Sequence, residues 1–168
     1  VLAKGHKWGY FPSVAVAWRV SDENFMESTR DWLDNLKLRA SWGSTGNAGI
    51  SAYQTLPMVN ADNQIYYEFG SGVTTGRIPT TLGNENLTWE TTTSYNFGVD
   101  FGFWGNRIYG SADFYINKTK DLLYAQSLPL SSVYSHVLSN IGKTKGHGFE
   151  IQIGGVPVRT KNLSLIHI

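Results

Sequence analysis

The sequence predicts an all-β fold, an antiparallel up-and-down sheet whose two faces differ enough to suit a segment of a transmembrane β-barrel. Three observations carry that expectation. From Trp89 to Phe103 the odd positions are Trp89, Thr91, Thr93, Tyr95, Phe97, Val99, Phe101 and Phe103, and the even ones are Glu90, Thr92, Ser94, Asn96, Gly98, Asp100 and Gly102. This is period-two alternation sustained past the usual strand length of about 3–10 residues. The return stretch repeats it, with Ile108, Gly110, Ala112, Phe114 and Ile116 against Arg107, Tyr109, Ser111, Asp113 and Tyr115. The composition agrees: 14% aromatic, 18 Gly and only 5 Pro suit long strands, tight turns and aromatic girdles.

Gly105-Asn106 between the two runs is a two-residue hairpin signal. It sets Phe97 opposite Phe114, Val99 opposite Ala112, Phe103 opposite Ile108 and Gly98 opposite Asp113. A one-residue slip would exchange the faces, so their coincidence supports the register. In water the apolar face needs a covering layer; in a membrane the acyl chains supply it and the polar face lines a lumen.

The other elements follow in chain order. Around Gly9 to Ser21, Val14, Val16, Trp18 and Val20 alternate with Ser13, Ala15, Ala17, Arg19 and Ser21, a first strand. Ser21 to Asn35 is a polar connector in which Asp22 or Ser28 is expected to cap a short helical turn. Leu36 to Trp42 alternates as a second strand, and Gly43-Ser44-Thr45-Gly46-Asn47-Ala48-Gly49 is expected to break it with turn residues. A long loop then runs over about residues 43–86, a length that inside a compact domain usually signals function. Beyond the hairpin, residues 119–143 read as a second long loop with some strand-like extension. Phe149, Ile151 and Ile153 alternate with Glu150, Gln152 and Gly154 as a fifth strand, Thr160-Lys161-Asn162 turns, and Leu163-Ser164-Leu165 begins a sixth. Barrels have short periplasmic turns and long extracellular loops. That asymmetry directs Ser21–Asn35, Gly105-Asn106 and Thr160–Asn162 to the periplasm, although the first is long for the role.

The remaining composition narrows the function. The chain has 168 residues, a net charge of +1 and no basic cluster, which gives no reason to expect nucleic acid. Cysteine is absent, and His6, His136, His147 and His167 lack ligand spacing, so neither a disulfide framework nor a metal site is expected. No signal peptide is visible after Val1, and no run of about 18 apolar residues suggests a membrane helix.

Two carboxylate pairs bear on glycoside hydrolysis. Glu90 and Asp100 lie roughly 33 Å apart along one strand. Asp100 and Asp113 are diagonal neighbours at about 7–8 Å, inside the separation of inverting glycosidases, but both occupy a face where polar residues belong and no third group accompanies them. No catalytic residue is therefore expected; Glu90, Asn96, Asp100, Arg107 and Asp113 are lumen-lining candidates. Trp89, Phe97, Val99, Phe101, Phe114 and Ile116 are lipid-facing candidates, with Trp42 and Trp89 at girdle level. Gly70-Ser71-Gly72 and Gly142, Gly146 and Gly148 read as turn glycines, since no following helix completes a phosphate loop. Tyr53, Tyr66, Tyr67 and Tyr134 are candidate substrate or partner contacts in the long loops.

An ordered series of motifs adds a resemblance. Gly9-Tyr10-Phe11-Pro12-Ser13 with Ala17-Trp18-Arg19, Asn35 to Asn47, Asn86-Leu87-Thr88-Trp89-Glu90-Thr91-Thr92, Asn96 to Phe101, Asp121-Leu122-Leu123, and Asn140-Ile141-Gly142 with Gly148-Phe149-Glu150 resemble the SusC/RagA family of TonB-linked outer-membrane proteins. The resemblance implies a 22-stranded barrel closed by a plug, of which residues 1–168 would be about six strands, without plug or TonB-contacting segment. It further implies a Gram-negative outer membrane, import of glycan oligosaccharides or peptides energised by TonB, a SusD-like lipoprotein lid over the loops, outer-membrane lipid as surroundings, and no cofactor. Gly146-His147 departs from the family's Asn followed by a basic residue, and Leu165-Ile166-His167-Ile168 departs from the alternation, as a truncation or translation artefact would. A secreted β-sandwich binding module and a passive porin are the alternatives; the porin shares the strand pattern. In isolation the chain is expected to be an open curved sheet with two unpaired edges.

Overall fold

The computed structural model describes residues 2–129, 131–159 and 164–167. The expected turn at Thr160–Asn162 and Leu163 of the sixth strand lie outside the described residues. In chain order the strands are β1 (Ser13–Arg19), β2 (Leu33–Asn47), β3 (Met58–Phe69), β4 (Gly72–Thr81), β5 (Glu90–Phe103), β6 (Ile108–Lys120), β7 (Leu123–Ser127), β8 (His136–Asn140), β9 (Lys143–Arg159) and β10 (Ser164–His167). The chain divides into two compact units.

The first unit comprises Phe11–Thr45, Thr92–Lys118 and Thr144–Ile168. It holds the sheet, whose order β1-β2-β5-β6-β9-β10 is the expected six-stranded meander with β1 and β10 at its edges. β1 and β2 pair antiparallel, from Ser13 opposite Gly43 to Arg19 opposite Lys37. Val14, Val16 and Trp18 thus lie against Trp42, Ala40 and Leu38, one apolar stripe continuing into the next. The β5–β6 hairpin turns as expected: Arg107 N donates to Trp104 O, and Gly105 and Asn106 have φ of 68° and 56°. Both central residues at positive φ make the turn match the strand twist. A Cβ on Gly98 would lie 2.5 Å from Asp113 Oδ1, so the two residues expected to face each other across the hairpin are close neighbours.

The second strand differs from expectation. It runs from Leu33 to Asn47, straight through the glycines assigned to a turn, and neither Gly43 nor Gly46 has positive φ. The reason is pairing: Gly43 sits opposite Ser13, and Ser44 N donates to Pro12 O at 2.9 Å. Ladder bonds outweigh the weak preference of glycine for turns. The connector forms two 3-10 turns, Val20–Asp22 and Asn24–Thr29, so a short helical turn is present. Their N-caps are Arg19 and Glu23, without a side-chain cap bond, and not Asp22 or Ser28. Asp22 instead pairs with Arg19 at 3.4 Å, while Trp18 Nε1 donates to Glu23 Oε1 at 2.8 Å.

The second unit comprises Val1–Tyr10, Gly46–Thr91 and Thr119–Lys143. The stretch expected as one long loop contains the β3–β4 hairpin, turning at Gly70 with φ 60°. Its strands escape the periodicity test because a two-stranded ribbon with little buried side-chain area imposes no alternation on its residues. The strand-like extension expected in the other loop is the β7–β8 pair, Leu123 opposite Asn140 through Ser127 opposite His136. The core of this unit is small, with Leu2, Thr55 and Leu87 buried. No helix among the described residues is long and apolar enough to cross a membrane, which leaves spanning by strands untouched.

Candidate functional site

The polar face of the sheet carries one charged constellation. Lys37 and Arg39 occupy the polar positions of the β2 alternation, Asp100 those of β5 and Asp113 those of β6, so neighbouring strands bring them together. Arg39 Nε donates to Asp100 Oδ2 at 3.0 Å and Nη2 to Asp100 Oδ1 at 2.9 Å, the two-pronged geometry a guanidinium offers a carboxylate. The same Nη2 lies 3.0 and 3.1 Å from the two oxygens of Asp113. Lys37 Nζ is 4.0 Å from Asp100. One cation therefore bridges three strands.

Gly98 makes room for it. A Cβ there would fall 2.7 Å from Arg39 Cζ and 2.5 Å from Asp113 Oδ1. Gly98→Val is expected to push the guanidinium aside and cost about 1–3 kcal/mol, the usual range for overpacking; an unchanged denaturant midpoint of the folded full-length protein would show the cluster has slack.

The geometry bears on the hydrolase reading. An inverting pair leaves space between its carboxyl groups for water; here Arg39 fills that space and binds both. Among the described residues no cluster of His, Asp and Glu fit for a metal occurs.

Of the five polar candidates, only Asp100 and Asp113 meet. Asn96 is half-buried on the same alternation, Arg107 belongs to the exposed hairpin turn, and Glu90 lies in the loop unit, where its Oε2 accepts from Leu123 N at 3.2 Å. Among the apolar candidates Phe97 and Phe114 are exposed, and Val99, Phe101 and Ile116 half-buried. An apolar groove runs across Val16, Trp18, Leu38, Phe97, Phe114 and Phe149, one residue set from five strands on one face. Trp89 precedes β5, and its indole N–H donates to His6 O at 3.1 Å. Of the four loop tyrosines, Tyr53 lies in a turn, Tyr66 and Tyr67 are adjacent on β3, and Tyr134 lies beside Ser132, whose hydroxyl accepts its N–H.

Lys37 and Arg39 were absent from the expected site, although their alternation with Leu36, Leu38 and Ala40 marks them as facing away from the apolar side. A second missed feature is a stitch inside the loop unit. Asn140 Oδ1 accepts from Thr88 N at 2.9 Å, while its Nδ2 donates to Thr88 O at 3.0 Å and Asp121 O at 2.8 Å. Asn84 Nδ2 donates to Leu138 O at 2.9 Å. Three of the quoted motifs, those at Asn86–Thr92, Asp121–Leu123 and Asn140–Gly142, thus meet in space.

Comparison with known proteins agrees with this architecture. The family described as "TonB dependent receptor-like, beta-barrel" matches residues 2–165. The chain is 39% identical over 167 residues to the TonB-dependent receptor SusC of Bacteroides thetaiotaomicron, covering 97% of this chain and 16% of that protein. It is 37% identical over 152 residues to the TonB-dependent receptor P3 of Formosa agariphila, covering 90% and 15%. Among solved structures, that of the RagAB peptide transporter superposes with a TM-score of 0.82 at 28% identity, over 95% of this chain and 17% of the matched one. The chain thus spans about one sixth of these relatives.

Proposed function

Because this chain belongs to the TonB-dependent receptor β-barrel family, with SusC and RagA among its relatives, we propose that it forms a wall segment of an outer-membrane nutrient importer of a Gram-negative bacterium. The contrast between the two faces of the sheet carries the reading. Val16, Phe149, Ile151 and Ile153 are 60–65% exposed on the apolar side, whereas the other side holds the Arg39 cluster. A bare face of this size invites aggregation in water; acyl chains cover it, and the polar face then lines the lumen.

In this arrangement Phe97, Val99, Phe101, Phe114 and Ile116 meet lipid, with Trp89 at the outer rim. Asn96, Asp100 and Asp113 line the lumen, Glu90 and Arg107 mark its two ends, and Arg39 serves as a brace without catalytic work. Strand lengths support it. A tilted strand needs about 9–11 residues to span a bilayer, and β2, β5 and β9 have 15, 14 and 17, which also exceeds the usual strand of a sandwich module. The connections over about residues 43–86 and 119–143 face the exterior and meet a SusD-like lipoprotein, glycan or peptide substrate, or both. TonB acts through other parts of the full protein, and this energised import is preferred to a passive porin on family membership.

Spin labels at Val99 and Asp100 of the full-length protein in bilayers test the orientation. The expected result is lipid exposure at Val99 and water at Asp100; the reverse pattern would refute the barrel reading.

A further inference from the structure

The loop unit contains a hollow of about 700 Å³ whose walls come from Leu2–Lys7, Ala52–Leu56 and Glu85-Asn86. Its chemistry is lopsided. Lys4, His6 and Lys7 stand on one wall and Glu85 is the lone carboxylate on another; neither lysine is in an ion pair among the described residues. The basic wall is held in place: His6 N donates to Ala3 O at 3.1 Å, the Trp89 indole donates to His6 O, and Leu2 is buried.

At the lip stands Tyr53. Its φ of 63° is a conformation that a bulky residue rarely adopts, and its turn is fastened by Leu56 N donating to Tyr53 O at 2.9 Å and Ser51 N to Gln54 Oε1 at 2.9 Å. The neighbouring Thr55 is buried. The result is a tyrosine 71% exposed on a fixed support, where observed backbone strain argues for a functional role.

We infer that this hollow is a binding subsite for an anionic oligosaccharide, with the Tyr53 ring stacking on a sugar face and Lys4 and Lys7 receiving its carboxylate or sulfate. His6, Glu85 and Asn86 are suited to the hydroxyl groups. A sugar fits better than an acidic peptide because the walls are turns and irregular chain with no strand edge to pair with an extended backbone. The inference deepens the import reading and rests on it for its biological setting, but the binding site itself is tested separately.

The test measures binding of a galacturonic acid tetramer, its fully methyl-esterified form and an acidic peptide of similar charge to the folded full-length protein. The acid form is expected to bind at least about tenfold more tightly than the ester, in keeping with charge-assisted hydrogen bonds, and to weaken as salt rises. Lys4→Gln with Lys7→Gln should remove that preference, and Tyr53→Ala should weaken acid and ester alike by about tenfold, the worth of one stacked ring. Equal binding of acid and ester, indifference to the lysine changes, or a preference for the peptide would overturn the inference. Should Val99 prove lipid-exposed while the acid fails to bind, the subsite falls and the importer reading stands.

Discussion

Arg39→Ala destabilises the folded full-length protein by about 1–3 kcal/mol, because it leaves two carboxylates beside each other with Lys37, 4.0 Å from Asp100, to offset them. The upper end for a fully buried pair does not apply, since the Asp100 and Asp113 side chains retain 27% and 22% exposure and solvent screens them. Arg39→Lys recovers only part of the loss: an ammonium cannot reproduce the fork that holds Asp100 while touching Asp113. Adding Asp113→Asn to Arg39→Ala should restore stability relative to the single change, because one of the stranded charges is gone. The readout is the denaturant midpoint of the barrel in detergent or bilayers. An Arg39→Ala midpoint equal to that of the parent would mean the bridge contributes nothing and the polar face is merely solvated.

Leu87→Ala produces a loss of about 2–5 kcal/mol in the loop unit, the range for truncating a large buried aliphatic side chain. Leu87 is the largest fully buried side chain among the described residues, at 0% exposure, in a unit with little other core. Asn140→Ala adds to the same unit's loss, at about 0.5–1.5 kcal/mol for each of its three hydrogen bonds. Hydrogen exchange reads both effects. Faster exchange is expected at residues 82–90 and 121–142, with the amides of β5 and β6 between Thr92 and Lys118 unchanged. Equal acceleration in the sheet would show that Leu87 supports the whole chain instead of the loops.

Most of the sheet was legible in the residues. Phe97, Val99 and Phe101 alternate with Asn96, Gly98 and Asp100 because each strand has two unlike faces, and a period of two records that directly. Gly105-Asn106 fixed the hairpin register because its backbone conformation is local chemistry. The β3–β4 hairpin was hidden for the opposite reason, as its residues answer to no buried face. Gly43 misled, since its fate depended on β1 lying alongside.

The sequence by itself determined the six strands of the main sheet, which residues share a face, the hairpin turn and the family, all of which follow from alternation, turn residues and ordered motifs within short stretches. The tertiary structure alone decided that Arg39 bridges Asp100 and Asp113, that Asn140 stitches Thr88 to Asp121, and that Lys4, Lys7 and Tyr53 surround one hollow. Those partners lie up to 74 residues apart along the chain, and only the pairing and folding back of distant segments sets distances between them.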